Sequence, residues 1–250
     1  VGKDGFSAML DLQLLLAFQA AGELEDNLGL KEQGRIYKSR AEQLKAEITN
    51  KYWDATKGMF ADTPEKDFFS QHTNSLAILA GLSTGKEAES IARKMLTDNT
   101  LAPASIYFKY YLHLALVKAG LGQDYLKWLG KWDENIKLGL TTWAEMSDVS
   151  NSRSDCHAWG SSPNVEFFRV VLGIDSDGPG FSRVKIEPHL GDLKKVGGEI
   201  PHPLGIIRTD YLFEKGKWSA VIVLPPGLKG TFVWNGQSIP LSDGRNRIFP

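Results

Sequence analysis

The periodicity of this sequence changes once along its length, and that single change restricts the chain to two packed units. Residues 5–172 carry helical signals: apolar residues spaced by threes and fours, glycine at the ends of apolar runs, and little β-branched alternation. After Asp175-Ser176-Asp177-Gly178-Pro179-Gly180 the runs become short and β-branched or aromatic, in 181–187, 205–213, 217–224 and 230–234, with Gly and Pro between them. Helices followed by strands, without interleaving, argue against an α/β fold. The expected fold class is therefore α plus all-β in two domains: helical hairpins over residues 1–175 and an antiparallel β-sandwich over residues 176–250.

Within the helical part, segment 6–21 is apolar nearly all round, whereas 31–52 has a one-sided stripe of Ile36, Tyr37, Leu44, Ile48 and Tyr52 against charged neighbours. The first is expected in an interior and the second on an exterior. Apolar runs end at Ala21-Gly22, Ala80-Gly81-Leu82, Ala119-Gly120-Leu121 and Leu172-Gly173-Ile174, where glycine can close a helix in the left-handed conformation. The intervals are uneven, which excludes a strict repeat. Successive hairpins, an inner helix alternating with an outer one, would leave this pattern.

Composition narrows the chemistry. With 42% hydrophobic and 24% charged residues the 250-residue chain can bury a sizeable core, and its net charge of −1 gives no basic surface for nucleic acid. The lone Cys156 cannot form an internal disulfide, and the five histidines lack metal-ligand spacing, so no metal or other cofactor is expected. The most apolar stretch, 6–21, holds Asp11, Gln13 and Gln19 and falls short of the roughly 20 apolar residues of a membrane span. The opening Val1-Gly-Lys-Asp-Gly has neither an initiator Met nor the layout of a secretion signal, and a start part-way through a longer protein is expected.

Side chains suited to catalysis gather in one stretch. Gly139-Leu-Thr-Thr-Trp-Ala-Glu-Met-Ser-Asp148 and Ser152-Arg-Ser-Asp-Cys-His-Ala-Trp-Gly-Ser-Ser-Pro163 lie between helical segments 123–137 and 164–172. Connecting segments commonly display functional groups. Trp143 and Trp159 can carry the apolar face of a sugar while His157 and Arg153 bind hydroxyls. Glu145 supplies one carboxyl of the pair that glycoside hydrolysis needs.

Three motifs, Gly139-Leu-Thr-Thr-Trp-Ala-Glu145, Ser154-Asp-Cys-His-Ala-Trp-Gly-Ser-Ser-Pro163 and Leu172-Gly-Ile-Asp followed by Pro179-Gly-Phe-Ser-Arg-Val-Lys-Ile-Glu-Pro188, resemble the C-terminal signature of the α-L-rhamnosidase family of glycoside hydrolases. Tyr52-Trp-Asp-Ala-Thr-Lys-Gly-Met-Phe60 and Ser70-Gln-His-Thr-Asn-Ser-Leu-Ala77 resemble upstream segments of the same family. The resemblance covers nearly the whole chain, in order. It implies part of an (α/α)6 toroid followed by a β-sandwich, hydrolysis with inversion, and a rhamnoside-containing plant or bacterial glycan as substrate. It also implies a periplasmic or secreted location.

By that resemblance Glu145 is the general base, His157 binds sugar hydroxyls, and Trp159 and Trp143 shape the pocket. Asp148 and Asp155 are further candidates to assist the base, although Asp155 equally suits the start of a helix. His72 is a candidate to point inward, although Ser70 and Thr73 suit a helix start as well. Ala144, between Trp143 and Glu145, departs from family members in which the Glu directly follows the aromatic residue. No segment here matches the family's general acid, and fewer helical segments are visible than a closed toroid needs. A piece of the enzyme, inactive alone, is expected. Another six-hairpin glycosidase, trehalase-like or glucoamylase-like, and a non-catalytic carbohydrate-binding protein are the alternatives.

Overall fold

The computed structural model describes residues 2–250. Two compact units divide the chain: one runs to Leu121 and includes Met146–Arg153, and the other comprises Gly122–Glu145 and Ser154–Pro250. The helix-to-strand change near residue 175 is therefore not where compactness divides the chain. Two helical stretches group with the sheets: residues 162–171 lead into Leu172 and Ile174, which belong to the same apolar core as the strands, and residues 122–137 are tied to them by the bond from the Trp132 indole to the Gly160 carbonyl.

The first unit is a row of helices with others behind it. Helices α1 (Ala8–Asn27) and α2 (Lys31–Tyr52) form an antiparallel hairpin, followed by a two-stranded ribbon of β1 (Trp53–Asp54) and β2 (Met59–Phe60). That ribbon interrupts the expected all-helical stretch. Its turn is set locally, because the Asp54 carboxylate accepts from the Thr56 and Lys57 amides and stabilises a turn in place of a helix. Next come α3 (Gln71–Leu79), α4 (Gly85–Thr97) and α5 (Lys109–Leu116), the last continuing through a wider π-type turn, Val117–Leu121.

Helix α3 packs against both α1 and α5, while α2 packs behind α1 and α4 against α3 and α5. Inner and outer helices thus alternate. The α2 stripe buries Ile48 and Tyr52, and the Tyr52 hydroxyl donates to the Asp11 carboxylate across the hairpin at 2.5 Å. Burial, then the hydrogen bond to Asp11 and its charge, raises the Tyr52 pKa. The expectation that 6–21 is interior needs correction, because α1 keeps Leu10 54% and Leu14 47% exposed while it buries Leu12 and Leu15. Within this unit its apolar circumference is covered on one side only.

Gly22 also differs from expectation. Helix α1 continues through it to Asn27, whereas Gly81, Gly120 and Gly173 do adopt positive φ at the expected stops. Gly22 instead permits close helix contact: a Cβ there would lie 2.9 Å from Lys38 Cγ, and one on Gly34 would lie 3.2 Å from the Gly22 carbonyl.

The second unit starts with a 3-10 segment, Gly122–Trp128, and α6 (Gly130–Lys137), where one continuous helix is expected from sequence. Helix α7 (Ser162–Glu166) continues as a π-type turn, Phe167–Val171, and leads into the sheets. The strands are β3 (Ile174–Ser176), β4 (Arg183–Ile186), β5 (Lys195–His202), β6 (Gly205–Glu214), β7 (Lys217–Leu224), β8 (Lys229–Trp234), β9 (Gln237–Leu241) and β10 (Gly244–Ile248). They form two four-stranded sheets, ordered β10-β7-β6-β5 and β3-β4-β8-β9.

One pairing is not antiparallel: β4 runs parallel to β8, with Val184 opposite Gly230 and Ile186 opposite Phe232. The intervening chain forms the hairpins of the other sheet, so it can re-enter beside β4 in the same direction. Alternate residues of both sheets, including Val184, Ile186, Ile207, Ile222 and Phe232, fill one core. Tyr211 is buried there, and its hydroxyl donates to the Leu172 carbonyl at 2.8 Å.

Candidate active site

The loop after α6 is held from below by that helix. Asn135, fully buried, accepts the Ala144 amide at 3.2 Å and donates to the Lys131 carbonyl at 2.8 Å. The Trp132 indole donates to the Gly160 carbonyl at 2.6 Å. Two backbone bonds then clamp the motifs together: the His157 amide donates to the Trp143 carbonyl at 3.0 Å, and the Glu145 amide to the Ser154 carbonyl at 2.9 Å. The Thr142 hydroxyl also donates to the Asp155 carbonyl. At Gly160 a Cβ would stand 2.7 Å from Trp143 Cβ, so the close approach requires glycine.

This framework brings Glu145, His157 and Trp159 into one cluster. Glu145 is 8% exposed, and its Oε1 lies 3.8 Å from His157 Nε2, beyond hydrogen-bond length. His157 packs tilted on the Trp159 ring, with centroids 4.5 Å apart. The Trp159 indole donates to the Glu145 carbonyl at 3.3 Å, while 45% of that residue remains exposed. Buried Nδ1 of His157 has no hydrogen-bond partner among the described residues. Trp143 is half-buried and backs Gly160. A largely desolvated carboxylate beside an imidazole and an open aromatic face has the parts needed to activate water next to a bound sugar.

The other candidates stand differently. Asp148 caps the short turn Val149–Asn151, accepting from the Ser150 amide at 3.1 Å and from the Asn151 side chain at 2.5 Å. Asp155 is exposed, and the following 3-10 turn, Ala158–Ser161, has His157 at its N-cap position, so Asp155 is not its cap. Asp148 and His72 belong to the first compact unit, whereas Glu145, His157, Trp143, Trp159 and Asp155 belong to the second.

His72 follows Ser70, whose hydroxyl caps α3 by accepting the Thr73 amide at 3.2 Å. Its ring lies 4.4 Å from that of Phe108, at the wall of a cavity of about 470 Å³ that Gln13, Ser105, Tyr107 and Tyr111 also line. Burial lowers the His72 pKa, and the Asp62 charge opposes this. Of the described residues, no group of three or more His, Cys, Asp or Glu is arranged to hold a metal ion, and no helix is long and apolar enough to cross a membrane. Cys156 is free and exposed.

Three supporting residues have no place in the sequence reading. Trp132 and Asn135 hold the loop, and Glu166, fully buried, accepts from the Tyr125 hydroxyl at 2.9 Å and the Ser162 hydroxyl at 3.4 Å. Burial, then the charge of Glu166, raises the Tyr125 pKa. Asn135 left one trace in the sequence, a poor helix former within a short helical run.

Residues 173–245 match the family model described as the bacterial alpha-L-rhamnosidase C-terminal domain. No curated protein sequence matches the chain. Among solved structures, a family 78 rhamnosidase of Bacillus sp. GL1 superimposes with a TM-score of 0.82 at 23% identity, covering 91% of this chain and 26% of that one. An α-L-rhamnosidase from Aspergillus terreus gives a TM-score of 0.80 at 19% identity, with coverage of 94% and 29%. The Streptomyces avermitilis α-L-rhamnosidase, solved in complex with L-rhamnose, gives 0.77 at 14% identity, with coverage of 95% and 26%. The chain thus spans between 26% and 29% of the length of these three relatives. Residues 173–245 are thus similar to the C-terminal domain of bacterial α-L-rhamnosidases, and the chain as a whole shares the fold of the matching part of these solved structures.

Proposed function

We propose that this chain contributes the general-base side of the active site of an inverting glycoside hydrolase that cleaves α-L-rhamnosides in plant or bacterial glycans. The observation that carries this reading is Glu145: a carboxylate 8% exposed, fixed through its own amide and carbonyl, and 3.8 Å from His157 Nε2. The match of residues 173–245 to the C-terminal domain of bacterial α-L-rhamnosidases supports the substrate class.

In this mechanism the Glu145 carboxylate takes a proton from water as that water attacks the anomeric carbon from the face opposite the leaving group. His157 holds a sugar hydroxyl through Nε2, and Trp159 packs on the apolar sugar face. A second carboxyl must protonate the leaving oxygen, roughly 6.5–9.5 Å from the base, to leave room for the water. That acid lies in the parent enzyme outside this chain, and the chain alone hydrolyses nothing.

Replacing Glu145 by Gln in the intact protein that carries this chain should lower kcat on 4-nitrophenyl α-L-rhamnoside by about 10²–10⁴-fold. Melting temperature should stay near that of the parent, and the parent should release the β anomer first by NMR. Near-normal turnover by the Gln variant would reject the assignment of the base. Cleavage of glucosides alone would reject rhamnose and favour a trehalase-like or glucoamylase-like specificity.

A further inference from the structure

A cleft of the second unit, separate from Glu145, is built by two β-hairpins. Strands β6 and β7 join through Lys215-Gly216, and β8 and β9 through Asn235-Gly236, with Glu214 opposite Lys217 and Trp234 opposite Gln237. Both linking residues have positive φ in each turn: 52° and 76° in the first, 48° and 78° in the second. These are two-residue turns of the type whose twist matches the flanking strands. One hairpin comes from each sheet. The rigid turns present Lys217 and Trp218 from one sheet and Trp234 and Asn235 from the other to a cleft of about 760 Å³.

Both tryptophans are half-buried, packed against the sheet core on one part of their surface and lining the cleft with another. Their rings meet edge to face, with centroids 5.7 Å apart. Among the described residues, nothing accepts a hydrogen bond from either indole N–H, and neither the Asn235 amide nor the Lys217 amine has a hydrogen-bonding or ionic partner. Gln123, also in the lining, uses its carbonyl oxygen to accept the Gly191 amide at 3.0 Å, which leaves its NH2 free to donate. Lys217 is the only charged side chain in the lining.

Adjacent aromatic surface with several unengaged donors around it matches a pyranose ring, which offers an apolar C–H face and a rim of hydroxyls. With one cationic side chain and no side-chain carboxylate in its lining, the cleft suits a neutral sugar and lacks the pair of carboxyl side chains that glycoside hydrolysis needs. We propose that this cleft is a non-catalytic binding site for a neutral sugar ring, packed on Trp218 and Trp234 and hydrogen-bonded by Asn235, Lys217 and Gln123. The site goes beyond the proposed hydrolysis and does not depend on it.

The test uses the intact protein with its tryptophans replaced by 5-fluorotryptophan, the Trp218 and Trp234 resonances being assigned by Trp218→Phe and Trp234→Phe. Methyl glycosides of L-rhamnose, D-glucose and D-galactose serve as probes in a 19F NMR titration. At least one should shift both resonances saturably, with Kd on the order of 1 mM. Asn235→Gly, which suits the left-handed turn, combined with Lys217→Gln should weaken that binding by about tenfold and leave turnover unchanged. The response should survive Glu145→Gln, which separates this site from the active site. Resonances unmoved by all three sugars would overturn the proposal, as would a titration indifferent to the double substitution.

Discussion

Gly173 shows how narrowly one residue can be constrained. It has φ of 74°, and a Cβ there would lie 2.2 Å from the Glu187 carbonyl carbon and 2.4 Å from the Pro188 nitrogen. Backbone atoms cannot swing aside as a side-chain end can. Gly173→Ala should therefore destabilise the second unit by more than the roughly 1–2 kcal/mol of a left-handed alanine alone. Thermal or urea denaturation measures this, and a loss below about 1 kcal/mol would show that the Glu187–Pro188 segment yields. Glu145 makes the contrasting case, since its Gln variant should alter rate with little effect on stability. The first position is dictated by packing; the second, under the proposed mechanism, by chemistry.

At the scale of elements, the strands divide by position. The four runs read from sequence correspond to β4, β6, β7 and β8, which are the central strands of the two sheets. The strands of these two sheets that sequence patterning missed, β3, β5, β9 and β10, are their edges. Edge strands tolerate what central strands cannot: β5 holds Gly197, Gly198 and Pro201, β9 holds Pro240, and β10 carries Arg245 and Arg247. His189, between β4 and β5, connects this packing to pH. Burial holds its pKa below 6.5, with Glu187 opposing and Lys185 assisting. The unfolded chain then takes up a proton at a pH where the folded chain does not, so stability falls as pH drops below 6.5. His189→Gln should flatten that acid-side decline in melting temperature between about pH 7 and 5. An unchanged slope would assign the decline to other groups, such as His72, which is lowered in the same direction.

For the whole molecule, the position of the compact boundary has a direct consequence. The sheets share a core with Leu172 and Ile174, and the Tyr211 hydroxyl is bound to the Leu172 carbonyl. A cut at residue 178 therefore passes through a unit, not between two. Deleting residues 178–250 should give insoluble protein, assayed by the soluble fraction on expression. A soluble, fully helical remainder would contradict the shared core.

What the sequence determined by itself was the part that local periodicity encodes: the change from helix to strand, the alternation of helices in the first unit, the central strands, and the loop that holds Glu145 and His157. Tertiary structure decided the rest, because it depends on which segments meet. Gly22 marks a helix crossing and not a helix end, since Gly34 happens to face it. Strand β8 returns parallel to β4, a choice that alternation along either strand does not record. Trp218 and Trp234, which patterning alone would bury, line a cleft because two turns from different sheets converge. The 3.8 Å between Glu145 and His157 likewise follows from backbone bonds between residues that the sequence sets twelve apart. Periodicity specifies which face of an element is apolar; long-range pairing specifies what that face meets.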